Sequence, residues 1–282
     1  MSYANYHTHC RFCDGEGEPE QFVKQAIDFG FKSIGFSSHA PIPIYENWVM
    51  KEEVLEEYCS TINSLKEKYK GRIDINLGME IDYNPEAIGN NYERFLSLNL
   101  DYVIGAVHIM TDKNSKKHTC VDGTKEDFEM ILNEFCSGDI KQLISKYYSL
   151  LRGMVNEIKP SIIAHFDLVK KHNKNNNYYS EDEAWYKDEV SETLKVIKEN
   201  KTIVEVNTGA IAREYLTSMY PSDQILAECK KMNIPIILSS DAHKPKHLKF
   251  YFDEAVKTLK NIGYSEQTIL YKGNWITVDL KC

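Results

Sequence analysis

The stretch Tyr3-Ala4-Asn5-Tyr6-His7-Thr8-His9 decides how the chain folds. Its short, aromatic and apolar start suits a β-strand, and it ends in two histidines one residue apart. Side chains at i and i+2 of a strand point the same way, so both imidazoles can reach one ion. An open, doubly wound sheet usually follows its first strand with a glycine-rich phosphate loop. Here that position holds His7-Thr8-His9, which favours a barrel whose strand ends carry ligands.

Six further strands are expected at Ser33–His39, Ile73–Ile81, Tyr102–His108, Ile162–Phe166, Thr202–Asn207 and Ile234–Ser239. All are short and rich in β-branched or aromatic residues. Helical patterns separate them. Leu55, Tyr58, Ile62, Leu65 and Tyr69 recur at three and four, lining one helix face, and Gly71 stops that helix. Phe29-Gly30 closes an earlier helix that carries Phe22 and Ile27. Ser180 and Glu183 read as a capping box opening a helix through Leu194 and Ile197. Pro221-Ser222 starts another with Ile225, Leu226 and Cys229, and residues 126–159 hold two helices broken near Ser137-Gly138. Seven βα units imply an α/β protein with a parallel sheet closed into a barrel. No linker or short internal repeat divides the chain, so a single domain over residues 1–282 is expected.

The strand ends collect the chemistry. His7 and His9 close the first, with Asp14 just beyond; His39, Glu80, His108 and His165 mark the next four; the seventh runs into Asp241-Ala242-His243. Six of the nine histidines belong to this set, leaving His118, His172 and His247 outside it. In a parallel barrel all strand C-termini meet on one face, so these residues converge on one pocket. Six histidines and three carboxylates would be costly to bury unpaired, which points to metal.

His7-Thr8-His9, Ser37-Ser38-His39, Gly78-Met79-Glu80, Val107-His108, Ala164-His165-Phe166-Asp167 and Ser239-Ser240-Asp241-Ala242-His243 resemble the polymerase-and-histidinol-phosphatase (PHP) family, nearly end to end and in its order. Val206-Asn207-Thr208-Gly209, Arg213 and Tyr220-Pro221-Ser222 are similar to its monofunctional histidinol-phosphatase branch. The resemblance implies a distorted (β/α)7 TIM-like barrel holding up to three metal ions. His7, His9, Glu80 and Asp241 would hold the first; Glu80 would bridge to a second, completed by His108 and His165; Asp14, His39 and His243 would hold the third. Asp14 departs from the family's frequent histidine but still offers an oxygen.

Mixed imidazole and carboxylate ligands suit Zn, Mn or Fe better than Ca or Mg, so two to three such divalent ions are expected. Three ions bring about +6 against about −3 from Asp14, Glu80 and Asp241, an excess that favours a phosphate dianion. Two metals sharing a water lower its pKa and give a hydroxide for in-line attack on phosphorus. Asp241 or a nearby histidine such as His243 is the expected proton donor to the leaving alkoxide. Arg213 is the expected phosphate clamp, since a guanidinium grips phosphate oxygens in a fork, and Asn207 is expected to line the pocket. The implied reaction is hydrolysis of L-histidinol phosphate.

Composition narrows the alternatives. The net charge is −8, which repels nucleic-acid phosphates and anionic lipid, and Lys116-Lys117 and Lys170-Lys171 read as solvated loop charges. A nuclease module is therefore disfavoured, and nine candidate ligands exceed what closed structural zinc sites need. A small phosphomonoester is the expected partner, without nucleic acid or membrane. Another such ester, a nucleotide or phosphotyrosine, remains the alternative, because metals read phosphate and not the leaving group. A cationic amine there would want carboxylates, for which Glu205, Asp112 and Asp167 are candidates. No apolar run approaches the roughly 18 residues of a membrane helix, and the start lacks a signal-like pattern. Seven cysteines without a framework, including the lone pair Cys10 and Cys13, fit a reducing, cytoplasmic location.

Overall fold

Strands β1 (Tyr3–Asn5), β2 (Phe31–Phe36), β3 (Asp74–Asp82) and β4 (Tyr102–Ala106) pair in parallel and in order. A short hairpin, β5 (Ile109–Thr111) and β6 (His118–Cys120), follows; β7 (Ile162–Ile163), β8 (Ile203–Asn207) and β9 (Ile236–Ser239) then complete the seven-stranded parallel sheet. The computed structural model describes residues 3–45 and 47–280; Met1, Ser2, Glu46, Lys281 and the seventh cysteine, Cys282, lie outside them.

The sheet curls into a nearly closed barrel. Its seam is a single parallel bridge between Thr8 and Ala242, made by His9 N–H to Ala242 O (2.9 Å) and Ala242 N–H to His7 O (3.1 Å). Asn5 reinforces it from β1, its Nδ2 donating to Ser240 Oγ (2.7 Å). Helices occupy the crossovers. Pro19–Asp28 buries Phe22, Val23 and Ala26, and Leu55–Lys68 buries Tyr58, Ile62 and Leu65, as their spacing predicts. The break near Ser137-Gly138 separates Lys125–Met130 and a following π turn from Ile140–Glu157.

The barrel interior is apolar below and polar above. Ala4, Tyr6, Tyr102, Ile104, Ile162, Ile203 and Ile237 fill its lower half. A Cβ at Gly35 or Gly78 would come within 2.4 or 2.3 Å of Tyr102, so both glycines make room for that ring. The Tyr102 hydroxyl donates to Tyr6 O (2.5 Å), and the Tyr6 hydroxyl to Leu270 O. The lower mouth is plugged by a hairpin the sequence reading missed, β10 (Glu266–Tyr271) with β11 (Asn274–Asp279). Its Ile269 and Leu270 insert into the lower core, and Gln267 Oε1 accepts the Leu238 N–H of β9 (3.0 Å).

Three expectations need correction. Most of the barrel strands stop short of their ligand residues, because the chain must curl over the rim to aim them inward; φ is 22° at His165 and 48° at Asp241. The helix expected to open at Ser180 spans Ala184–Asn200. Ser180 and Glu183 instead close the preceding turn, Ser180 N–H donating to Glu183 Oε1 (3.2 Å). Lys170 and Lys171 are not solvated: Lys170 is buried on Asp167 (2.8 Å), and Lys171 lines the upper pocket.

Candidate metal centre

Glu80, fully buried at the end of β3, stands at the centre of the upper mouth. Its Oε2 faces His7 Nε2 (3.0 Å), His39 Nδ1 (3.1 Å) and His9 Nε2 (3.3 Å); its Oε1 faces His165 Nε2 (3.2 Å) and His108 Nε2 (3.9 Å). The five imidazoles form a ring around it. Centroid separations are 5.0 Å for His7–His9, 4.4 Å for His9–His39, 5.5 Å for His39–His108, 4.8 Å for His108–His165 and 5.9 Å for His165–His7. His243 stacks on His9 from outside, 4.2 Å away.

The remaining carboxylates sit at the His243 end. Asp241 Oδ1 lies 3.3 Å from His9 Nε2 and 3.5 Å from His243 Nδ1. Asp14 Oδ2 lies 3.2 Å from His243 Nε2, and Asp14 Oδ1 is 3.9 Å from both His9 and His39. Four sets of donor atoms are close enough to share an ion: His7 with His9 and Asp241; His7 with Glu80 and His165; His39 with Glu80 and His108; and His9 with Asp14, His39 and His243. All nine residues expected at strand ends are thus brought together. Their grouping is more interleaved than expected, with His7, His9 and His39, as well as Glu80, each standing between two sets.

The electrostatics show a site under tension. Burial alone would raise the Glu80 carboxyl, but His39, His7 and His165 hold it well below the usual range. Burial opposes Asp241 likewise, and Arg213 and His7 hold it low. Burial and the neighbouring His243 and His39 push His9 down to about 3. His9 Nε2 and His39 Nδ1 are buried, face the Glu80 carboxylate and make no hydrogen bond of good geometry. Such orphaned nitrogens, converging with carboxylate oxygens, fit a cation in their midst. The imidazole and carboxylate donors suit Zn, Mn or Fe.

A layer beneath aims these ligands, and the sequence reading missed it. Asp82 Oδ1 accepts from His108 Nδ1 (2.9 Å) and from the His108 N–H (3.1 Å). Glu205, fully buried, contacts His7 Nδ1 (2.6 Å) and accepts from the His165 N–H (2.9 Å) and Asn207 Nδ2 (2.9 Å). The signal was present: Glu80 and Asp82, like His7 and His9, are two apart on one strand face, and Glu205 pairs with Asn207 in the same way.

Asn207 is buried and ties Glu205 to Asp241 Oδ2 (3.3 Å). Arg213 reaches the rim, but its guanidinium is occupied. Nη2 donates to Asp241 Oδ2 (2.8 Å) and Nη1 to Asp241 O (3.0 Å), while Nη1 also stands 3.0 Å from His243 Nδ1. One Asp241 oxygen is thereby fixed on Arg213 and Asn207, and the other is turned to the histidines.

The cluster opens into a cavity of about 430 Å³, lined also by Trp48, Asp122, Lys171, Tyr215 and Tyr220. Two larger clefts, of about 550 and 500 Å³, lie elsewhere and have no histidine in their walls. Of the three acids considered for an amine, none lines the cavity: Glu205 lies beneath His7, Asp167 is buried on Lys170 and the Ser222 N–H (2.9 Å), and Asp112 sits in the β5–β6 turn. His172 meets Gly123 O (3.1 Å), His118 is exposed on β6, and His247 lines the cavity rim.

With this geometry in view, the likeness to known proteins is consistent. The chain is 29% identical over 269 residues to the histidinol-phosphatase of Bacillus subtilis, spanning 90% of this chain and 98% of that one. It is 28% identical over 261 residues to a Deinococcus radiodurans protein named "Probable histidinol-phosphatase", spanning 91% and 92%. The fold matches the crystal structure of histidinol phosphate phosphatase from Lactococcus lactis, solved with zinc, L-histidinol and phosphate, at a TM-score of 0.72, 20% identity and 97% and 98% coverage. The PHP domain model matches residues 5–209, so the chain belongs to the PHP domain family.

Proposed function

We propose that this chain is a metal-dependent phosphomonoesterase that hydrolyses L-histidinol phosphate to L-histidinol and phosphate, a dephosphorylation step of histidine biosynthesis. The observation that carries the metal-dependent part is the buried Glu80 carboxylate facing five imidazoles. The substrate rests on the near end-to-end match to histidinol-phosphatases. Residues 1–282 act as one catalytic unit in this reading.

In the grouping the resemblance implies, His7, His9, Glu80 and Asp241, then Glu80 with His108 and His165, then Asp14, His39 and His243 would hold two to three divalent ions, with His7, His9 and His39 each also close to a neighbouring set. Bound there, Zn, Mn or Fe supplies Lewis acidity toward phosphoryl oxygens and an activated water. The chain's own contribution is positioning and charge. Asp82 and Glu205 orient His108 and His7. Arg213, at the rim, attracts the phosphate and holds Asp241 as an anion. That leaves His243 as the better placed of the two to move a proton toward the leaving oxygen when the third ion is absent, since Asp14 and Asp241 raise it despite burial; with the third ion bound, His243 serves as its ligand instead. Asn207 sets Asp241 and not the substrate directly.

The net charge of −8 disfavours a nucleic-acid substrate. Among the described residues no helix is long and apolar enough to cross a membrane. The test is elemental analysis of the purified protein together with phosphate release from histidinol phosphate, nucleotides and phosphotyrosine. Two to three transition-metal ions per chain and preference for histidinol phosphate are expected. Bound metal with another preferred ester would reject the substrate. A protein that stays metal-free and inactive after Zn, Mn and Fe are supplied would reject the mechanism.

A further inference from the structure

The metal cluster accounts for a phosphate but not for the group that leaves. Five carboxylates line the cavity, and four are engaged. Glu80, Asp14 and Asp241 face the histidines, and Glu16 is paired with Lys244 (2.8 Å). The fifth is Asp122. Its nearest cationic partner among the described residues, Lys171, stands 3.9 Å from its Oδ2, beyond hydrogen-bond reach. Lys171 is committed elsewhere: its ammonium donates to the Asp122 main-chain O and lies 4.2 Å over the Tyr215 ring. The Asp122 carboxylate, 28% exposed, therefore keeps its acceptor capacity toward the cavity.

The location of Asp122 matters as much as its freedom. The β5–β6 hairpin folds back so that the Val121 N–H donates to His108 O (2.7 Å), setting Asp122 beside His108. Trp48 flanks the same histidine, its ring centroid 5.5 Å from His108 and 4.8 Å from His39. Arg213 instead contacts Asp241 and His243 at the opposite end of the cluster. The guanidinium is thus fixed on Asp241 and His243, while Asp122 and Trp48 each flank His108, with the Lys171 ammonium held over Tyr215 between the two regions.

We propose that Asp122 and Trp48 form the leaving-group subsite, Asp122 pairing with a cationic amine on the alcohol and Trp48 walling its flat ring. This assignment rests on the histidinol-phosphate reading above and names the residues that would distinguish that ester from other phosphomonoesters. An ammonium beside this partly exposed carboxylate gains a charge-assisted hydrogen bond, which a substrate without the amine cannot make.

The test crosses one protein change with one substrate change. Wild type and Asp122→Asn are assayed on L-histidinol phosphate and on imidazolylpropyl phosphate, which keeps ring and ester and lacks the amine. Wild type should favour the amine-bearing ester in kcat/KM by about 10- to 100-fold. Asp122→Asn should collapse that ratio to within a few-fold, because each change removes the same contact. A variant that loses activity on both esters equally, keeping the ratio, would overturn the assignment while leaving the substrate reading intact. Wild type that ignores histidinol phosphate yet turns over another ester would overturn the substrate reading, and the subsite with it. Trp48→Leu gives a second check: KM for both imidazole esters should rise several-fold, and an unchanged KM would remove Trp48 from the subsite.

Discussion

The two mouths of the barrel are built from the same strands and do opposite work. At the lower mouth Ile104, Ile162, Ile203 and Ile237 meet the plug residues Ile269 and Leu270, and each side chain gains by leaving water. At the upper mouth Glu80, His7, His9, His165 and Asp241 are as deeply buried, yet each is costly to desolvate. The lower half holds the barrel together, and the upper half spends part of that stability on a site poised for a cation. Function here sits where the fold is least self-sufficient.

The sharpest way to break that contrast is Glu80→Gln. It removes the charge and one of the two oxygens that five imidazoles face, so kcat for phosphate release should fall by about 10²–10³-fold or more, with loss of bound metal by elemental analysis. Because the surrounding imidazoles hold this carboxylate ionised in the fold, the metal-free variant should also unfold at a lower denaturant concentration than metal-free wild type at neutral pH; an unchanged midpoint with metal still bound would remove Glu80 from the centre of the site. Ile269→Ala attacks the other mouth. It should cost about 2–5 kcal/mol in chemical denaturation, with metal content per folded chain unchanged. Metal loss at wild-type stability would show the two mouths are not separable.

The smallest effect comes from the layer between them. Asp82→Asn should weaken metal binding by about 10- to 100-fold, since its partner His108 loses its orientation. The pH dependence sharpens this. Burial would lower His108, but Asp82 outweighs it and raises the imidazole to about 10. A base raised on folding contributes stability that is complete below its unfolded value near 6.5 and lost as pH rises toward 10. Denaturation midpoints of the metal-free protein between those limits should therefore decline in wild type and decline less in Asp82→Asn. Equal slopes would detach the His108 shift from Asp82.

Much of the candidate site was legible because its residues are polar and recur at the ends of expected strands, where few other reasons put six histidines. His7, His39, Glu80, His165 and Asp241 were readable from position alone. Asp82 and Glu205 were not singled out for what they do, because a carboxylate in a strand also reads as an edge or a pocket wall; only their burial against His108 and His7 reveals it. The hairpins escaped for a different reason. β10 and β11 alternate weakly, and what fixes them is the open lower mouth, a tertiary demand that no local pattern carries. Lys170 was misread because its partner Asp167 lies only three residues away on a turn that the polar composition disguises.

The seam between Thr8 and Ala242 also divides the candidate ligands. His7 and His9 stand on one side of it and Asp241 and His243 on the other, so the set is assembled from segments far apart in the sequence. Parting the barrel at this one bridge would separate His7 and His9 from Asp241 and His243. Metal occupancy would then report whether the barrel is closed.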